Sequence, residues 1–430
     1  MPERCCAGFT LFLALSFPVL AAASNGLSGQ GPGSLSPEYY FKQGEILRLE
    51  GKLAAAIAAY SNAIKLRPDF ADAYCNRGLA QQTSGDLDEA LKDYSKAIEL
   101  RTRHAKAHNN RGNVRLLRGE ISKAIADYSA AIRFEKDFGL AYCNRGRARC
   151  LAGDFDGAIA DFTQAIRTMP LLSAKGASLI YSSDDLALAY SGRGVAESAK
   201  GNFESALADY SKAIQVSPNL PDVHNDRASV LMRKGDLRGA LADLDRAIDI
   251  LKIRPAAGAG IAAAQPASGI IRIQPVLISS YVNRGKVRYL LKDLDGALAD
   301  FDALLSINGD SAEAWFCRGR IRDERGQPDL AFSDYSAAIH RDPGLVDAYI
   351  NRGRLRRDSG DLDGAVADLD RAEQLRAADP LVYLNRGLTR MMQGKESEAR
   401  LDFERCVALA PALKTYMNNR IAAIKANLIR

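Results

Sequence analysis

The tripeptide Asn-Arg-Gly recurs at Asn76–Gly78, Asn110–Gly112, Asn144–Gly146, Asn283–Gly285, Asn351–Gly353 and Asn385–Gly387; the first three copies, and the last two, are 34 residues apart. Looser copies at Lys42-Gln43-Gly44, Gly192-Arg193-Gly194, Asp226-Arg227-Ala228 and Cys317-Arg318-Gly319 fill the gaps. Ten units result, starting at Pro37, Ala71, Ala105, Gly139, Ala187, Pro221, Ile278, Ala312, Val346 and Pro380. A unit this short cannot bury an apolar face alone, so the period predicts stacked units sharing one continuous core.

Each unit follows one design. An aromatic residue or His stands fourth, a small residue eighth, Gly usually fifteenth, Ala always twentieth, and Tyr, Phe or Leu twenty-fourth. Gly at fifteen predicts a helix ending there in the left-handed conformation, with Lys292 as the exception. The Asp that follows, as in Asp86, Asp154, Asp236 and Asp361, is placed to cap a second helix. Leu91, Tyr94 and Ile98 have the spacing of an apolar stripe on that second helix. Small residues at eight and twenty let the two helices approach closely.

The pattern resembles the tetratricopeptide repeat in all ten units, over about residues 37–413. The resemblance implies an all-α, right-handed solenoid of antiparallel helix pairs. It also implies that helix A lines a concave groove through positions 2, 5, 6, 9, 12 and 13. One departure is consistent: position seven, Leu-like in the family, is Arg in nine repeats, and position 23 is Asp in the same nine. Seven lies on helix A and 23 on helix B, so the recurrence predicts an Arg–Asp pair inside each unit. Those arginines are therefore read as structural.

The groove positions supply the candidate ligand contacts. Position six gives Asn76, Asn110, Asn144, Asn283, Asn351 and Asn385, whose amides carry a donor and an acceptor together. The resemblance implies that they hold the backbone of an extended peptide; the alternative is bonding within the fold. Position nine gives Arg147, Lys286, Arg320 and Arg354, with Arg357 at twelve, which points to acidic segments, although Asp323, Glu324 and Asp358 oppose this charge. The lysine-rich clamp by which some family members hold a terminal carboxylate is not matched, since repeat three has Asn109, Asn110 and Asn113 but no Lys.

The remaining chain is read as follows. Arg4, the apolar run Ala7–Leu20 and Ala21-Ala22-Ala23 make residues 1–23 an export signal. An uncleaved anchor is the alternative, although the run is shorter than the ~20 residues of a spanning helix. Residues 24–36 are a Gly/Ser/Pro-rich lead-in. Inserts at 173–186 and 255–277 are expected to project as loops or, through Leu179-Ile180-Tyr181 and Ile270-Ile271-Arg272-Ile273, to form a small β-ribbon or grip a partner. Residues 414–430 place Met417, Ile421, Ile424 and Leu428 at helical spacing, as a capping helix.

No Ser/His/Asp set, zinc spacing or phosphate-cradling loop stands out, so no catalytic residue, metal site or cofactor is assigned. The D-x-D-G strings ending at Gly157, Gly296 and Gly364 lack the remaining ligands of a calcium loop and fall where helix B begins. Five cysteines follow the signal and are expected as mostly buried thiols. A net charge of +6 over 430 residues, with no Lys/Arg run, does not suggest nucleic acid. The expectation is a periplasmic or secreted, non-enzymatic scaffold binding extended protein segments. The alternative is a regulatory or substrate-recruiting subunit of an envelope enzyme or polymer-export complex.

Overall fold

A computed structural model describes residues 36–169, 181–257 and 268–428. These form twenty-one α-helices and one 3-10 turn, with no strand among the described residues. The chain divides into two compact units, one to Ser280 and one from Tyr281. Within each, helix A packs on helix B of its own repeat, and helix B on helix A of the next. The export signal lies outside the described residues, as does the lead-in except Ser36, whose side chain caps the first helix by accepting from Tyr39 N at 3.1 Å.

The periodic residues build this packing. Tyr128 of helix B is fully buried, and its ring lies so close to helix A that a Cβ on Gly112 would stand 2.7 Å from Cε1. Gly is thus required at position eight when the residue at 24 is a ring. Repeat six has Ala228 there, opposite the narrower Leu244. Nine glycines at position fifteen take positive φ, and Lys292 at φ 66° is the one non-glycine to do so among the described residues.

Helix B is capped by Asp in only some repeats. Asp154, Asp236, Asp293 and Asp361 each accept the amide of the Gly three residues on at 2.9 Å. Asp86 makes no such bond, contrary to expectation, and accepts from Ser84 Oγ instead. The difference is steric: a Cβ on Gly157 would stand 2.2 Å from the Asp154 carboxylate, and the equivalent residue after Asp86 is Glu89. The D-x-D-G strings are therefore helix caps.

Where the inserts are described, at 181–186, 255–257 and 268–277, the chain is mostly helical rather than loop. Helix A of repeat five begins at Ser183, helix B of repeat six runs Leu237–Ala257, and helix A of repeat seven spans Ser268–Leu290. Ile270–Ile273 are thus helical, which removes the β-ribbon; Leu179 and Ile180 lie outside the described residues. Tyr181 folds back on repeat four, its hydroxyl accepting from Gly139 N at 2.9 Å and donating to Asp137 O at 3.1 Å. At the C-terminus, helix Lys414–Leu428 seats Met417, Ile421 and Ile424 on the core of repeat ten, around Leu384, Leu388 and Cys406. None of the five described cysteines is in a disulfide, and all but Cys317 are buried. No helix among the described residues is long and apolar enough to cross a membrane.

Candidate functional site

The arginines at position seven are struts. In all nine repeats the guanidinium forks onto the Asp at 23 through Nε and Nη2, at 2.6–3.2 Å. The planar fork matches a carboxylate geometrically, which a Lys cannot do. Six of these aspartates accept a second arginine, from position eleven: Arg115, Arg149, Arg288, Arg322, Arg356 and Arg390. In two repeats the fourth residue is His, and it joins the same carboxylate: His224 Nδ1 is 3.1 Å from Asp243, and His108 Nδ1 is 3.6 Å from Asp127. Burial raises the Asp127 carboxyl, but the neighbouring His108 and the Arg111 and Arg115 guanidinium groups outweigh it and leave its pKa below the usual carboxylate value.

The remaining nitrogen, Nη1, leaves the repeat. It donates to position 25 of the preceding helix B: Arg77 to Ser61, Arg145 to Ser129, Arg318 to Asp302 and Arg386 to Asp370, at 2.7–3.1 Å. One side chain therefore ties three helices together, with all three of its nitrogens engaged within the fold.

The other helix A positions carry the candidate contacts, and all six asparagines at position six are half-buried. In the first unit the face is mainly amide and phenol. Asn144 Nδ2 donates to Asn109 Oδ1 at 3.0 Å, and Asn109 Nδ2 to Asn110 Oδ1 at 3.2 Å. Tyr128 donates to Asn113 Oδ1, and Tyr94 to Gln82 Oε1, both at 2.8 Å. Asn76 neighbours Glu45, whose pKa is raised by burial against its basic neighbours. Arg147 is half-buried and engaged within the fold.

In the second unit the face is charged. Lys286 Nζ is 2.5 Å from Glu313, Arg354 pairs with Asp323 and with Asp358, and Arg357 donates to Asn385 Oδ1 at 3.0 Å. Asn385 in turn donates to Leu381 O at 2.9 Å, while Asn283 is also engaged. Between repeats seven, eight and nine this face sinks into an open depression of about 360 Å³. Arg320, Asn351 and Arg354 line it together with Asp323 and Glu324. Two tyrosines complete it: Tyr289 at position twelve, one of the expected groove positions, and Tyr335 at position 24, expected in the core. Arg320 lies 5.0 Å over the Tyr289 ring and donates to its hydroxyl at 3.3 Å. Burial, reinforced by Glu324, raises the Tyr289 pKa, while the Tyr289 hydroxyl and Lys292 lower that of Glu324. Among the described residues no cluster of His, Cys, Asp or Glu has the form of a metal site.

Comparison with known proteins bears on this architecture directly. A TPR repeat model matches residues 44–85, 194–235 and 353–394, and tetratricopeptide repeat models match 71–102 and 282–346. The chain belongs to the tetratricopeptide-repeat family. The TPR fold is also that of the crystallised APC/C hetero-tetramer Cut9-Hcn1, at TM-score 0.50 and 17% identity, covering 74% of this chain. This TPR chain spans only 55% of that chain's length. A tetratricopeptide repeat protein from Parabacteroides merdae ATCC 43184 aligns at TM-score 0.45 and 19% identity, over 66% of this chain and 98% of the other. YrrB, described as a TPR protein with an unusual peptide-binding site, aligns at TM-score 0.38 and 17% identity, over 50% and 97%. No curated protein matches the sequence. TPR proteins as a family mediate protein–protein interactions.

Proposed function

We propose that this TPR protein is a non-enzymatic scaffold that holds an extended segment of another protein on its helix A face. The observation that carries this reading is the depression between repeats seven and nine, an open polar surface lined by side chains from three successive helices A. An extended peptide needs such a surface, because its own N–H and C=O groups must find partners as they leave water. Arginine, tyrosine and asparagine supply donors and acceptors along one face at little conformational cost. The struts support the reading from the other side: with the position-seven guanidinium groups held in place within the fold, the surface chemistry falls mainly to positions six, nine and twelve.

The reading is tested by photo-crosslinking in the native host. A photo-reactive residue at the Arg320 position is compared with one at the exposed Arg371 position on helix B. Adducts confined to the helix A position are expected, with short stretches of the other protein attached. Equal labelling from helix B removes the face from the account. We also propose export of the protein, supported by Arg4 and the apolar run that ends before Ala21-Ala22-Ala23. N-terminal sequencing of the protein from an envelope fraction is expected to begin at Ser24, and recovery in the cytosol with Met1 retained refutes it.

A further inference from the structure

Two separate comparisons of equivalent positions end in the same place. Among the four basic residues at position nine, Lys286 and Arg354 have carboxylate partners, and Arg147 is engaged within the fold. Arg320 is in no ion pair and instead lies over the rings of Tyr289 and Phe316, donating to the Tyr289 hydroxyl. Among the six asparagines at position six, Asn110, Asn144, Asn283 and Asn385 are engaged within the fold, whereas Asn351, which lines the depression, makes no hydrogen bond through its amide. The unmatched cation and the unmatched amide line one depression.

The reason lies in the neighbouring repeat. A cation at position nine faces position twelve of the repeat before it. Arg354 meets Asp323 there and is neutralised, whereas Arg320 meets Tyr289. Tyr289 holds the guanidinium through its ring and hydroxyl without cancelling its charge. Arg320 is thus oriented in advance and makes no direct ion pair, Glu324 attracting it only at longer range.

Resting on the peptide-binding reading above, we infer that this depression receives a single acidic side chain of the bound segment, Arg320 pairing with its carboxylate and Asn351 holding the peptide unit that carries it. A volume of about 360 Å³ is room enough for a side chain with its peptide unit. The rim disfavours a run of acids on charge. Asp323 and Glu324 line the same depression, so a second carboxylate beside the first meets repulsion with no cation left to answer it. The selected feature is one isolated Asp or Glu flanked by neutral or basic residues.

A random twelve-residue peptide library, displayed once with blocked and once with free C-termini, tests this on the full-length chain. Both formats are expected to enrich one Asp or Glu at a single position, and Arg320→Gln and Asn351→Leu chains are expected to lose that enrichment. Arg320 is exposed, so its replacement leaves the core untouched. A synthetic winning peptide is expected to bind Arg320→Gln about tenfold more weakly, the loss typical of one charge-assisted contact. Its Asp→Asn analogue should lose as much on the wild type and nothing further on the variant.

Enrichment only with free C-termini overturns the side-chain assignment in favour of a terminal carboxylate. Winners with acidic runs, or without acids, overturn the inference while leaving the peptide-binding reading standing. Recovery of no peptide at all overturns both.

Discussion

Arg352 grips Asp368 through two parallel hydrogen bonds, 2.9 Å from Nε and 2.7 Å from Nη2, and the carboxylate is almost fully buried. Arg356 binds the same carboxylate at 3.0 Å, and Arg352 Nη1 reaches back to Ser336 at 3.2 Å. Removing one member leaves desolvated charge behind, so each single substitution costs more than the pair is worth. Arg352→Ala and Asp368→Ala are each expected to destabilise the protein by about 2–3 kcal/mol, discounted because Arg356 remains and Arg352 is partly exposed. The double variant should lose clearly less than the sum, by about 1 kcal/mol or more in a denaturant cycle. Additive losses would show that the pair is not coupled.

Lys292 holds a conformation that glycine takes in the other nine repeats, with φ at 66°. The left-handed region costs a residue with a Cβ about 1–2 kcal/mol. Lys292 also pairs with Glu324, but the pair is exposed and contributes little. Lys292→Gly is therefore expected to stabilise the protein by up to about 1 kcal/mol, the greater flexibility of the unfolded chain taking back the rest. An unchanged or lower denaturation midpoint would contradict this.

Gly364 lies under the Asp361 cap, where a Cβ would meet the carboxylate oxygen at 2.1 Å. A Gly→Ala change inside a helix normally stabilises. Here it is expected to break the cap and lower stability by about 1 kcal/mol. The same site should show no shift of the thermal midpoint on adding calcium, because the carboxylate is committed to the Gly364 amide. A calcium-dependent shift would reopen the D-x-D-G strings as ion sites.

His104 is buried at the start of the repeat-three helix, where Nδ1 accepts the Ala107 amide at 3.3 Å. Burial lowers its pKa below 6.5, outweighing the attraction of Asp72, while Arg101 and Lys106 push it the same way. The unfolded chain therefore takes up this proton at higher pH than the folded one. The contribution to stability is complete above the unfolded value of about 6.5 and is lost as the pH falls below it. The urea midpoint is expected to drop between about pH 7.5 and 5, and His104→Asn, which keeps a capping acceptor, should flatten the drop. Identical profiles for both proteins would assign the pH dependence elsewhere.

Much of the fold was legible because its determinants lie within one repeat. The left-handed turn at position fifteen needs Gly, the ring at 24 needs Gly at eight, and Arg at seven recurs only with Asp at 23. Two local readings failed for local reasons. Asp86 does not cap, because Glu89 carries a Cβ where Gly157 and Gly364 have none. Ile270–Ile273 are helical despite their β-branched residues, because they extend helix A of repeat seven. Tyr289 and Tyr335 went unnoticed as lining residues, although position twelve was already one of the groove positions.

The sequence by itself determined the helix pairs, their ends and their internal Arg–Asp struts. These follow from residues sixteen or fewer apart, repeated often enough to be recognised. Which of the remaining helix A side chains stay available was decided only by the tertiary structure. Asn144 spends its amide on Asn109, and Arg354 its charge on Asp323. Arg320, at the same position as Arg354, meets a phenol and stays a cation. Periodicity makes equivalent positions look alike, whereas pairing depends on what the adjacent repeat carries, and that does not follow the period.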